Sequence, residues 1–134
     1  LQVYIDSPES FITRCEFIGG KFVYALRVDT SEGFELCPAD NCSVPDQHNL
    51  SETKILRFEI ITDYVDPIIP RYETFLHEQQ IDIAGIEFIT DHVGCKWTYD
   101  VNVNTNYNAE AELRAGVNAR VRLAQYLKKE LARC

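Results

Sequence analysis

Apolar and polar residues alternate over Gly85-Ile86-Glu87-Phe88-Ile89 and again over Tyr99-Asp100-Val101-Asn102-Val103-Asn104. A period of two predicts strands, each with one apolar and one polar face. Asp100, Asn102 and Asn104 then project together, while Tyr99, Val101 and Val103 point the other way. On the first strand, Glu87 joins the polar set and Ile86 and Phe88 the apolar one. A tight connection at Val93-Gly94, where glycine supplies a positive φ, would set Glu87 across the ladder from Asp100.

The rest of the chain is read by the same rules. Leu1-Gln2-Val3-Tyr4-Ile5 is a short apolar run ended by Asp6-Ser7-Pro8, a strand entering a loop. Phe11 to Ile18 and Lys21 to Val28 are strands joined by Gly19-Gly20, a hairpin signal. Arg14 and Glu16 share a face there, and Arg27 stands near the end of the second strand. From Asp29 to about Lys54 the sequence turns polar, with Gly33, Pro38 and Pro45, and reads as a long loop. Loops of that length in a compact domain are usually functional. Ile55 to Tyr64 suits a strand or a helix equally. Pro67 to Gln80 reads as a helix, with Ile68, Tyr72, Phe75 and Leu76 at helical spacing behind a proline start.

After the second hairpin, Asn104 to Asn108 forms a polar turn, and Ala109 to about Ala132 reads as one long helix. Leu113, Val117, Val121, Ala124, Leu127 and Leu131 give it an apolar stripe. Lys128, Lys129 and Arg133 fall in its last turns, where the helix dipole favours cations. The order predicts an α+β fold in one domain over residues 1–134: a mostly antiparallel sheet with helices packed on one side.

Composition narrows the class. At 134 residues, 46% apolar and 11% aromatic, the chain can bury an ordinary core. Thirteen basic against twenty-one acidic residues leave a net charge of −8, and no basic cluster interleaved with aromatics occurs, which argues against a nucleic-acid surface. No apolar run approaches the roughly 20 residues of a membrane span. The five cysteines, Cys15, Cys37, Cys42, Cys95 and Cys134, fit neither a disulfide framework nor a paired zinc site. Reduced thiols and a cytoplasmic setting are expected. Only Cys37 and Cys42 with His48 resemble a metal cluster in spacing. The chain opens at Leu1 and contains no methionine, so an excised or processed piece of a longer protein is expected.

Charge gives the polar face its chemistry. Carboxylates of Glu87 and Asp100, facing each other across a ladder, would lie roughly 5 Å apart, and like charges so placed destabilise a sheet. A cation would offset them. Glu87, Asp100 and Asn102 are hard oxygen donors, suited to Mg²⁺ or Mn²⁺ rather than Zn²⁺. An antiparallel sheet with one wet face accounts for the same residues without a metal.

Gly85-Ile86-Glu87 followed by Asp100-Val101-Asn102 and an asparagine-rich turn resembles the end of an ATP-grasp ligase, in the branch of ribosomal-protein glutamate ligases and glutathione synthetases. The resemblance runs through most of the chain. It implies Glu87 and Asp100 as metal carboxylates and Asn102 as an amide ligand, together holding Mg²⁺ (or Mn²⁺) against ATP. It implies Val3, Tyr4 and Ile5 beside the adenine and Asp6, with Glu9, at the ribose. Asn104 and Asn106 fall where the family binds substrate and phosphate, though Asn residues also suit turns, and Asn108 suits an N-cap. Arg14 and Arg27 would offset charge on the transferred phosphoryl group; surface salt bridges to Glu16 or Asp29 are the plain alternative. The family's lysine strand, glycine-rich flap and N-terminal domain have no counterpart here, so the chain resembles the C-terminal subdomain, with upstream domains of the same protein as partners. Asp100 is one methylene shorter than the Glu common at that position.

The implied activity is that of a carboxylate–amine ligase: an acyl phosphate forms from ATP and a carboxylate, and an amine, the other substrate, displaces phosphate to leave an amide. The alternative is a non-catalytic nucleotide- or protein-binding module of the same fold, with Phe34 and Leu36 in the long loop for docking. Glu87 and Asp100, if so paired, would also match the spacing of a retaining glycosidase pair, but no row of sugar-stacking aromatics accompanies them. The oligomeric state and the carboxylate and amine joined are not encoded in these residues.

Overall fold

The structure is a computed structural model that describes residues 3–31 and 57–133. Most of the expected long loop lies outside the described residues, and with it Phe34, Leu36, Cys37, Cys42 and His48, as do Leu1, Gln2 and Cys134. The elements are β1 (Phe11–Ile18), β2 (Lys21–Asp29), β3 (Phe58–Ile61), α1 (Ile68–Glu78), β4 (Ile83–Thr90), β5 (Lys96–Asn102), α2 (Ala109–Ala115) and α3 (Ala119–Leu131). The strands form one five-stranded sheet in the order β3-β2-β1-β4-β5, antiparallel throughout. The α+β class follows as the alternation predicts.

The β1–β2 turn is built as the sequence asks. Gly19 and Gly20 both take positive φ, 63° and 66°, the conformation a two-residue hairpin needs to match strand twist. A bulge between Glu16 and Phe17 then shifts the register by one residue. At the second hairpin Gly94 has φ 84°. Asp91 closes that turn: its Oδ1 accepts from the Val93 and Cys95 amides at 2.9 Å each, and its Oδ2 from Trp97 Nε1 at 2.8 Å.

Helices cover both faces of the sheet rather than one. Cys15, Phe17, Ala25, Ala84, Ile86 and Phe88 pack with Tyr72 and Leu76 of α1. On the other face Ile18, Tyr24, Leu26 and Ile60 pack with Tyr107, Ala111 and Ala119 at α2 and α3. The central strands β2, β1 and β4 carry core residues on both faces and hold their register firmly, since a slip of one residue would exchange the two faces. Asp66 starts α1: its Oδ1 accepts from the Ile68 amide at 2.9 Å, and its Oδ2 meets Lys96 Nζ at 2.8 Å.

Two expectations about local structure are corrected. The expected helix from Ala109 to Ala132 is two helices. Gly116 takes a left-handed φ of 67° and ends α2, and Asn118 caps α3 by accepting from the Val121 amide at 2.9 Å. The chain turns there, so the predicted stripe never forms a single buried seam; Leu113 is 82% exposed and Leu131 78%. Helix α2 is capped by Asn108, whose Oδ1 accepts from the Ala111 amide at 2.8 Å, as expected. The other correction concerns the opening segment. Residues 3–7 have no regular structure, and Val3 and Tyr4 are 83% and 87% exposed. A strand needs a neighbour for its amides, and none of the five strands pairs with this run.

Candidate functional site

The register of β4 and β5 sets the site. Glu87 lies directly opposite Asp100, and Gly85 opposite Asn102, so the two acids and the amide share the sheet face that carries α2 and α3. This is the pairing that the alternation predicts. One residue of β5 is extra: Phe88 pairs with Thr98 and Glu87 with Asp100, which places Tyr99 at a bulge. Such a bulge turns two successive side chains toward one side. Tyr99 was expected on the apolar face with Val101 and Val103; instead its hydroxyl donates to Glu87 Oε2 at 3.0 Å.

A buried ionic network lies beside these residues. Arg14 is 3% exposed and Glu16 1%. Each guanidinium nitrogen of Arg14 is engaged: Nε donates to Glu16 Oε1 at 2.6 Å, Nη1 to Glu87 Oε1 at 2.8 Å and Nη2 to Thr105 Oγ1 at 2.5 Å. Thr105 Oγ1 also lies 2.9 and 2.7 Å from the two Glu16 oxygens. Thr105 therefore ties the asparagine-rich turn to the sheet. The guanidinium fits because position 85 is glycine; a Cβ there would come within 2.7 Å of Arg14 Cζ and 2.8 Å of Nε.

The electrostatics follow from burial and pairing. Burial alone would lower the Arg14 pKa, but the charges of Glu16 and Glu87 outweigh it and hold the guanidinium above its ordinary value. Burial raises the Glu16 carboxyl, against the opposing pull of Arg14 and Thr105. Tyr99 is raised as well, by burial and by the neighbouring Glu87 and Asp100, so its hydroxyl stays a donor. Away from the site, burial pushes the Cys15 thiol up to about 12; Cys15 and the exposed Cys95 are both free.

The donor set for a metal can be tested against this geometry. Among the described residues no group of three His, Cys, Asp or Glu side chains converges to hold an ion, so Asn102 would have to complete a set begun by Glu87 and Asp100. Each Glu87 oxygen accepts one hydrogen bond and keeps a further lone pair. Asn102 Oδ1 accepts from the Asn104 amide at 2.8 Å and likewise retains one. Hard oxygen donors of this kind fit Mg²⁺ or Mn²⁺.

Other expected site residues lie elsewhere. Arg27 pairs with Thr13, on the face opposite Arg14, and its guanidinium sits 4.7 Å from the Phe11 ring centre. An unbroken register from the glycine turn would have put Arg27 opposite Ile12, on the Arg14 side; the Glu16/Phe17 bulge moves it. Asp6 Oδ2 lies 3.0 Å from His92 Nε2, at the tip of the β4–β5 hairpin. Val3, Tyr4 and Ile5 precede it and do not join the Glu87 network. Asn104 and Asn106 are exposed on the turn, and Thr105 between them is the side chain turned inward. Sequence reasoning missed Thr105, and set Tyr99 on the apolar face rather than against Glu87. A groove of about 660 Å³ opens at the far end of the sheet, lined by residues including Lys21, Glu73, His77 and Asp82 and by none of the expected site residues.

No protein-family model and no curated protein matches the chain. Among solved structures it is similar in fold to the ATP-grasp ligase PsnB complexed with a phosphomimetic variant of minimal precursor, Mg and ADP, at 16% identity and a TM-score of 0.56. It is likewise similar to PsnB complexed with minimal precursor, at 17% identity and a TM-score of 0.55. Each match covers 87% of this chain but only 31% and 32% of the ligase, so the chain spans about a third of those proteins' length. The architecture is thus ATP-grasp-like, an antiparallel sheet with three helices matching a fragment of such a ligase.

Proposed function

We propose that this chain is the ATP- and Mg²⁺-binding part of a carboxylate–amine ligase that forms an amide through an acyl phosphate. The observation that carries the reading is the register of Glu87 against Asp100, with Asn102 on the same face. Two facing carboxylates with a neighbouring amide oxygen make a hard-donor site where a phosphate-bound cation gains most. The likeness of the fold to an ATP-grasp ligase solved with Mg and ADP supports the same reading.

When bound, the cation would offset charge on the phosphates during transfer. The chain's own residues do the rest. Glu87, Asp100 and Asn102 supply oxygens; Arg14, with its nitrogens already engaged, orients Glu87 rather than reaching phosphate. Arg27, on the other face, has no part in this set. The γ-phosphoryl group passes to a substrate carboxylate oxygen and ADP leaves. The amine nitrogen then attacks the acyl carbon and phosphate departs, giving the amide and releasing a proton. One substrate class follows from the neighbour, which is solved with minimal precursor: a carboxylate presented on a precursor chain.

The test is ADP release by the full-length protein, assayed against a panel of free and peptide-borne carboxylates with an amine present. ADP formation that depends on one carboxylate class, and is lost in Asp100→Asn while the thermal midpoint holds, is the expected result. Tight nucleotide binding with no carboxylate-dependent ADP from any member of the panel would favour a non-catalytic nucleotide-binding module instead.

A further inference from the structure

Glu87 is held at both carboxylate oxygens, by Arg14 Nη1 at Oε1 and by Tyr99 Oη at Oε2, at 2.8 and 3.0 Å. The two contacts differ in origin. Arg14 belongs to a network the fold requires, because Glu16 is buried beside it and needs its charge. Tyr99 reaches Glu87 from the point where β5 carries one extra residue, between the Glu87–Asp100 and Phe88–Thr98 pairs. A bulge interrupts the ladder at some cost, and bulges gather where a side chain must be re-aimed.

We propose that Tyr99 is a positioning residue that fixes the orientation of the Glu87 carboxylate for the divalent cation. This rests on the metal reading given above. A glutamate side chain tethered by one hydrogen bond can pivot about it; a second donor on the other oxygen removes that freedom. The lone pairs left on the Glu87 oxygens are then held in place on the face shared with Asp100 and Asn102. Donors behind a metal-bound carboxylate raise affinity by pre-orienting it, and their loss typically lowers metal affinity by about 10- to 100-fold. Tyr99 does not itself need to touch the ion, the nucleotide or the substrate.

The experiment is a Mn²⁺ titration of the full-length protein with ADP saturating, following free Mn²⁺ by its electron paramagnetic resonance signal. Wild type, Tyr99→Phe, Glu87→Gln and the double variant are compared. Phe keeps the ring and removes one oxygen, so the thermal midpoint and metal-free ADP affinity should hold. Tyr99→Phe is expected to weaken Mn²⁺ binding by about 10-fold or more, and to add nothing further in the Glu87→Gln background. Unchanged Mn²⁺ affinity in Tyr99→Phe, where Glu87→Gln does weaken it, overturns the positioning role and leaves the metal reading standing. An equal loss from Tyr99→Phe in both backgrounds also overturns it, since Tyr99 would then act other than through Glu87. Unchanged affinity in Glu87→Gln removes the metal reading and this proposal together.

Discussion

Replacing Gly85 with alanine should unseat the buried Arg14. Backbone conformation at 85 is ordinary, so the effect is steric: the new methyl would sit 2.7 Å from Arg14 Cζ and 2.8 Å from Nε. A free side-chain end would swing away at little cost. This one cannot, because Glu16, Glu87 and Thr105 hold its three nitrogens at 2.5 to 2.8 Å. Moving the guanidinium by the ångström required would weaken at least one charge-assisted hydrogen bond, about 1.5–3 kcal/mol each. It would also leave the buried Glu16 carboxylate less compensated, and breaking a buried pair outright costs about 3–5 kcal/mol. A partial displacement should therefore cost about 2–4 kcal/mol. At about 3 °C per kcal/mol for a domain of this size, the thermal midpoint would fall by roughly 6–12 °C. Circular dichroism melts of wild type and Gly85→Ala give the number directly. A Gly85→Ala protein melting within 2 °C of wild type would refute the view that Arg14 is pinned.

Three further perturbations test other parts of the account. Asn118→Ala removes the side-chain cap of α3 and should cost about 1 kcal/mol in a denaturant titration; no loss would mean that the break between the helices is held by Gly116 alone. Glu112 accepts from Tyr24 Oη at 3.2 Å and from the Ala119 amide at 2.8 Å, tying the sheet to both helices, so Glu112→Ala should cost about 1–3 kcal/mol through the stranded donors. The Glu16 carboxyl is raised by burial, so the folded state binds that proton more tightly than the unfolded chain does. Its contribution is full below the ordinary carboxylate pKa and is lost as pH climbs through the raised value. Glu16→Gln should flatten that decline in melts taken across the acidic range, and an unchanged slope would count against it.

The sequence carried the parts of the fold that rest on local chemistry. Gly19-Gly20 marked the first hairpin, the proline start and helical spacing marked α1, and Gly94 marked the second hairpin. The expected pairing of Glu87 with Asp100 is found, but it is reached through the β5 bulge rather than by an unbroken ladder from that turn. What the sequence hid were the irregularities. A bulge leaves no local signature beyond an ordinary residue, so neither the shift that carries Arg27 to the far face nor the one that brings Tyr99 to Glu87 could be read from spacing. The break between α2 and α3 was legible in principle: Gly116 followed by Asn118 is a helix stop and a helix start. The apolar stripe concealed it, because Leu113, Val121 and Leu131 recur at helical intervals whether or not the helix is continuous. Thr105 was masked by the asparagines around it, and its role depends on a partner 89 residues away.

The proposed function requires oxygens from two neighbouring strands to converge on one divalent cation. A crystal structure of the full-length protein grown with ADP and Mn²⁺, with anomalous data collected for manganese, tests this most directly. The expected result is an anomalous peak about 2.1–2.3 Å from a Glu87 oxygen, an Asp100 oxygen and Asn102 Oδ1, with Tyr99 Oη still hydrogen-bonded to Glu87. Manganese bound to the nucleotide but lying beyond the reach of Glu87 and Asp100 would contradict it.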